Sequence, residues 1–364
     1  MRAPLRAAIA AAVVVAVSVG HAAQAAADPP VPTDFRSTVD AIDPAADGVR
    51  AEIVGGDAFL ELSVDEGHEV VVEGYQGEPY VRFRPDGTVE RNLRSPATYV
   101  NESRDGAVDL PDGVDAETAE TAEPDWQPVA DGGTYAWHDH RVHWMGGERP
   151  EGAEPGDWTR PWAVDVVVDG TETRITGTLA LAEGVSPLPW AALALAAGAA
   201  AALVGRRRPV LTAASAALVA GALALPVGWA EYDATPAGAG ANRLLVVVPL
   251  VGLVAAALGL GFALRSAGID ARLAGCRPER ATVAATVATT ATLAAAAAAG
   301  GWCVLRLEVL WRPVLPTELT YGLDRAGTAV ALGLAVAAAG LVVRGRSAQG
   351  EARAAAIAAG GGRR

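Results

Sequence analysis

The stretch VDVVVDGTETRITGTLAL, residues 164–181, is a β-hairpin on sequence grounds alone. Val164 to Val168 lead into Asp169-Gly170, and Thr171 to Leu181 lead out. Asp-Gly accepts the positive φ angles of a type I′ turn, whose twist matches that of paired strands. The same grammar recurs upstream. Val49 to Val54, a Gly55-Gly56-Asp57 turn and Ala58 to Val64 form a second hairpin, in which Leu60, Leu62 and Val64 alternate with Glu61 and Ser63. Glu69 to Glu73 is a further strand. Tyr80 to Phe83, Arg84-Pro85-Asp86-Gly87 and Thr88 to Arg91 form another hairpin around a turn signal. Residues 101–125 are acidic and poor in large apolar groups, a solvated excursion rather than a strand. Seven or eight short strands over residues 28–187, without an internal repeat, predict an all-β domain, an Ig-like β-sandwich.

Within it lies WHDHRVHWM, residues 137–145. The chain has five histidines; three fall here, together with the only methionine besides Met1. On a strand, side chains alternate faces. His138, His140, Val142 and Trp144 then share one face; Trp137, Asp139, Arg141, His143 and Met145 share the other. Neither face is a clean core, and such breaks of local pattern are often functional or strained sites. Besides a site for a polar ligand, two readings stay open. In the first, His138 and His140 project together as metal ligands, His143 and Met145 form a second pair, and His68 joins from a neighbouring strand. Imidazole suits Cu(II) and Zn(II), and thioether favours Cu(I), so the expected cofactor is copper or zinc. In the second, Asp139, Arg141, Trp137 and Trp144 build a buried polar network and the histidines bond to backbone, with no ligand.

The charge is divided. Residues 28–187 hold 34 acidic side chains against 11 arginines, whereas the rest of the chain is net positive, against a total of −13. There is no lysine. A strongly acidic domain repels the phosphates of nucleic acid and concentrates cations. The two cysteines, Cys276 and Cys303, lie beyond it, so the acidic domain has no disulfide framework. It shows no G-x-S-x-G, no Gly-rich phosphate loop and no H-E-x-x-H, and the expectation is a protein that is not an enzyme.

At the N-terminus, Arg2 and Arg6 precede the apolar run 7–20 and small residues up to Ala27. This is the pattern of a signal peptide, residues 1–27. Five apolar segments follow the acidic domain, at about 188–205, 209–230, 244–264, 281–303 and 326–343, each near the length of a bilayer span. Their interiors carry no acid, arginine or histidine. Twelve arginines fall in alternate connections, at Arg344 and in the tail 345–364, which the positive-inside rule assigns to the cytoplasm. The expected arrangement is a multi-pass cell-membrane protein with its β-domain extracytoplasmic and its C-terminus cytoplasmic. Its partners are then the lipid bilayer and, through Ala- and Gly-rich helices, another membrane protein or itself.

The order GGDAFLEL, GYQGEPYVRF, PDGTVERN, RSPATYVN and WHDHRVHWM resembles a family of exported, membrane-anchored proteins of actinobacteria. That resemblance implies the architecture and supplies no activity. A looser analogy, in class, size and His/Met content, links the domain to secreted copper-resistance β-sandwiches. The leading expectation is therefore an envelope protein whose outer domain binds a ligand such as copper or zinc. The alternative is a structural or interaction protein in which WHDHRVHWM is a ligand-free network.

Overall fold

The computed structural model describes residues 28–272, apart from 107 and 147, and residues 278–361. The expected signal peptide lies outside the described residues. The chain divides into two compact units: Met1–Glu183 with Ala234–Arg243, and Gly184–Asp233 with Leu244–Arg364.

The first unit is all-β. Its strands are β1 (Phe35–Asp43), β2 (Val49–Val54), β3 (Phe59–Val64), β4 (Val70–Glu73), β5 (Pro79–Phe83), β6 (Val89–Asn92), β7 (Trp126–Ala130), β8 (Thr134–Trp137), β9 (Thr159–Val168) and β10 (Thr171–Leu181). A short helix, α1 (Ala97–Val100), follows β6. Seven strands form one antiparallel sheet in the order β1-β10-β9-β4-β5-β6-β7, and β2-β3-β8 form the other. The expected Ig-like set of seven or eight strands thus gives way to ten, divided seven and three. The β9–β10 hairpin is as anticipated: Asp169 and Gly170 both have positive φ, 49° and 81°. Alternation then buries Val164, Val166, Ile175, Leu179 and Leu181 against Leu60, Leu62 and Val64 in one hydrophobic core. The described residues of 101–125 contain no strand, in keeping with a solvated excursion.

WHDHRVHWM is not a strand. β8 ends at Trp137, paired with Leu60 of β3, and the chain turns from His138 onward. The expected alternation of faces therefore does not exist beyond Trp137. The cause is local: Asp139 accepts from the backbone N–H of Arg141 on its side chain (3.0 Å) and from that of Val142 on its carbonyl (3.0 Å), which folds the backbone back on itself.

The second unit is helical: α2 (Leu188–Val204), α3 (Pro209–Asp233), α4 (Leu244–Arg272), α5 (Pro278–Leu305) and α6 (Tyr321–Gly361). Four of these, not five, hold stretches long and apolar enough to cross a membrane. Helix α2 has 17 residues, so at about 1.5 Å per residue it falls short of a core about 30 Å thick. It packs closely against α6: a Cβ on Gly333 would overlap the Ala194 carbonyl oxygen, and one on Gly198 would crowd Gly333. Small residues at such crossings let backbones approach. The tail is helical too, because α6 runs on to Gly361.

The helices also run past the apolar segments, whose interiors hold no acid, arginine or histidine, and charged residues lie at their ends. Glu231 lies in the last turn of α3, Asp324 and Arg325 in the first turn of α6, and Arg306 just beyond α5. All four are buried. Arg306 bonds Glu231 with one nitrogen and Asp324 with another (2.7 Å), while Arg325 donates to the carbonyls of Val309, Arg312 and Pro313. Removing the central cation would strand two buried carboxylates. Arg306→Leu should therefore destabilise the helical unit by about 3–5 kcal/mol, whereas Glu231→Gln with Arg306→Met and Asp324→Asn should recover most of that loss. Thermal unfolding in detergent would separate the two, and equal losses from both variants would show that the charges are not coupled.

A buried turn built around Asp139

The Asp139 side chain is wholly buried. Trp137 Nε1 donates to Oδ2 (3.0 Å), and Arg141 donates to both oxygens, from Nε (2.8 Å) and from its terminal nitrogen (2.7 Å). Burial alone would raise this carboxyl, but the guanidinium beside it prevails and holds it below the usual carboxylate range. Arg141 in turn is held well above its ordinary value, against its own desolvation, by the Asp139 carboxylate. It also donates to the Glu73 carbonyl at the end of β4 (3.1 Å) and lies 5.1 Å over the Tyr75 ring. Arg160 of β9 donates to the carbonyls of Arg141 (3.2 Å) and His143 (2.8 Å). One turn therefore joins β8, β4 and β9, with Val142 fully buried in the core.

Each histidine of the motif meets backbone carbonyls. His138 stacks on Phe59 at 4.2 Å, with Nδ1 2.6 Å from the Ala58 carbonyl and Nε2 3.0 Å from that of Asp28. Nε2 of His140 faces the Ser103 carbonyl (3.0 Å), and Nε2 of His143 faces the next one, Arg104 (2.9 Å). The two rings opposite Ser103 and Arg104 thus each carry an N–H on Nε2. His143 is the ring between the others, with centroids 6.2 Å from His138 and 5.2 Å from His140. Met145 is partly exposed and its sulfur lies 2.9 Å from His143 Nε2. Trp144 stacks on Phe35 at 5.7 Å.

The expected ligands are thus only partly assembled. His138, His140, His143 and Met145 do gather, but through a turn rather than through strand alternation. His68 belongs elsewhere: its Nδ1 pairs with Asp169 of the β9–β10 turn at 2.7 Å. Among the described residues, no group of three or more His, Cys, Asp or Glu is arranged to hold a metal ion. Nδ1 of His143 is buried without a hydrogen-bond partner and so keeps capacity for a ligand.

Sequence reasoning missed half of the partners. Arg104, inside the acidic excursion, pairs with the fully buried Asp57 through both carboxylate oxygens (2.9 and 2.8 Å) and supplies the carbonyl for His143. Tyr75 accepts from the His140 N–H (3.0 Å) and donates to Asn101. No spacing rule connects these residues to the motif; GYQGEPY carried a hint only in its tyrosines. The chain matches no protein-family model, no curated protein and no solved structure in the comparisons made with each.

Burial, followed by the Arg104 charge, pushes His143 down to about 3 from its ordinary 6.5. The unfolded chain therefore takes up the proton first. The contribution of His143 to stability is complete above about pH 6.5 and is lost progressively as pH falls toward 3, by an amount on the order of a few kcal/mol. Gln at this position keeps an N–H donor for the Arg104 carbonyl and does not titrate in that window. Acid unfolding followed by tryptophan fluorescence should be less steep between pH 6.5 and 3 for His143→Gln than for the native chain. Superimposable profiles would assign the acid sensitivity to other groups.

Proposed function

We propose that this chain is a multi-pass envelope membrane protein with a non-enzymatic, extracytoplasmic β-domain that serves a structural or interaction role. In this reading WHDHRVHWM is a ligand-free polar network that fixes the β-domain. The observation that carries it is the pairing of the turn with the protein itself: Asp139 is satisfied by Trp137 and Arg141, and all three imidazoles face backbone carbonyls. Buried polar groups tied in this way specify one arrangement of the chain around them.

The orientation is supported by charge. Arginines concentrate in the α2–α3 connection, on and beside the facing ends of α4 and α5, and in the tail, and the positive-inside rule assigns those to the cytoplasm. Residues 234–243, which join α3 to α4, belong to the β unit, where Ala239 packs against the cluster of Ala58, Phe59 and Ala136. Export would be directed by the segment 1–27. Exposed Leu195, Leu250, Val254, Leu258 and Val336 give the helices apolar surface for lipid or for a partner helix.

The network reading is tested without any metal. In a chelator, His138→Ala should lower the melting temperature of the β-domain, with a cost of about 1–3 kcal/mol from the lost stacking on Phe59 and the one carbonyl, of Ala58 or Asp28, that accepts the ring's single N–H. Native protein should melt at the same temperature with and without the chelator. A variant as stable as the native chain would remove the basis of this reading.

One observation favours a second reading, in which the outer domain binds copper or zinc: the unpartnered His143 Nδ1, in a ring whose Nε2–H is fixed by a carbonyl and which adjoins His140 and Met145. Metal-bound imidazoles are commonly oriented by such a carbonyl. Calorimetric titration of the purified chain with Cu(II), Zn(II) and, under reducing conditions, Cu(I) should then give heat that His140→Ala with His143→Gln abolishes. Equal heats from both proteins would rule the cluster out as the ligand set.

A further inference from the structure

Beside the buried turn, the β unit holds a cavity of ≈ 40 Å³ between β5, β6, α1 and β8. Tyr80, Arg91, Asn101, Glu102, Tyr135 and Trp137 contribute to its wall. Two of these carry buried nitrogens without a hydrogen-bond partner, and Asn101 lies beside the Tyr80 hydroxyl. Asn101 is 4% exposed, and its Nδ2 is buried without a partner. The Tyr75 hydroxyl accepts the His140 N–H, so its own proton goes to Asn101 Oδ1; this fixes the amide with its NH₂ group as the free end. Arg91 gives one terminal nitrogen to Glu102 (3.1 Å), and its Nε is likewise buried without a partner. Buried donors left unpaired cost free energy, and native interiors rarely leave two on one cavity.

We propose that this cavity is a binding site for a single monatomic halide, chloride under ordinary conditions. The occupant must accept from Asn101 Nδ2–H and Arg91 Nε–H, neither of which can accept in return. The hydroxyls of Tyr80 and Tyr135 rotate and can donate to the same occupant. The space limits the choice: at ≈ 40 Å³ the cavity admits only a small occupant, and a phosphate does not fit. The Arg91 cation supplies the attraction, while Glu102, the one acid on the wall, is already turned to Arg91. A bound halide would hold Asn101 in place, and through it Tyr75 and the backbone of His140. The site would thereby strengthen the turn from outside the WHDHRVHWM segment. The inference goes beyond the function proposed above and does not depend on the membrane topology.

The test uses the full chain in detergent at constant ionic strength, with sodium gluconate replaced stepwise by sodium chloride or bromide. The melting temperature of the β-domain, followed by tryptophan fluorescence, should rise and saturate, by roughly 5 °C at a halide concentration 100 times Kd. Tyr135→Phe removes only a hydroxyl and should shift the dependence to higher halide. Asn101→Asp places a carboxylate against the anion and should abolish it. Crystals soaked in bromide should show an anomalous peak in the cavity. A halide dependence unchanged in both variants would be a general salt effect and would overturn the proposal. An ordered water alone in the cavity of bromide-soaked crystals would overturn it as well.

Discussion

A carboxylate with no access to water must be neutralised where it lies, and at Asp139 the neutralising group is two residues away. The Asp139–Arg141 pair is bidentate and buried, with Trp137 Nε1 on the remaining face. An ion pair of this kind is weak evidence for stability as such, because desolvation offsets most of the Coulombic gain. Its value lies in geometry. It dictates a turn where β8 would otherwise continue, and that turn supplies the carbonyls that Arg160 binds and the position from which Arg141 reaches Glu73. Strands β4, β8 and β9 are thereby fixed to one another by a few charge-assisted hydrogen bonds.

The histidines follow from that turn. Once the chain leaves the sheet at His138, three imidazoles enter an interior with few free side-chain acceptors, and backbone carbonyls from the loops at 58 and 103–104 become their partners. Arg104 both supplies the carbonyl that accepts from His143 and is the counter-charge of Asp57. Burial of His143 next to that cation keeps the ring neutral. The motif is rich in metal-ligating residue types, yet most of its nitrogens are committed to the protein's own backbone.

The helical unit repeats the theme in another medium. Its crossings rely on small residues, as at Gly198 and Gly333, while Glu231, Asp324 and Arg325 are buried around Arg306. Neither feature depends on a long apolar run. The apolar runs gave the approximate number of helices and understated their length, because Glu231, Asp324 and Arg325 interrupt hydropathy without interrupting the helix. A charge that finds its partner inside the bundle leaves no mark on a hydropathy profile that distinguishes it from a loop charge.

By itself the sequence determined what depends on neighbours along the chain. The Asp169-Gly170 turn, the alternation of Leu60, Leu62 and Val64, the strandless acidic excursion and the apolar helices all follow from residues a few positions apart, where backbone sterics and side-chain period leave one solution. Tertiary structure decided the rest. The division of ten strands into seven and three, the end of β8 at Trp137, the departure of His68 to Asp169 and the arrival of Arg104, Tyr75 and Asn101 at the motif rest on contacts between segments tens of residues apart. In an interior of low dielectric, a buried donor, acceptor or charge takes whichever partner the packing brings within reach, and sequence spacing does not encode that partner.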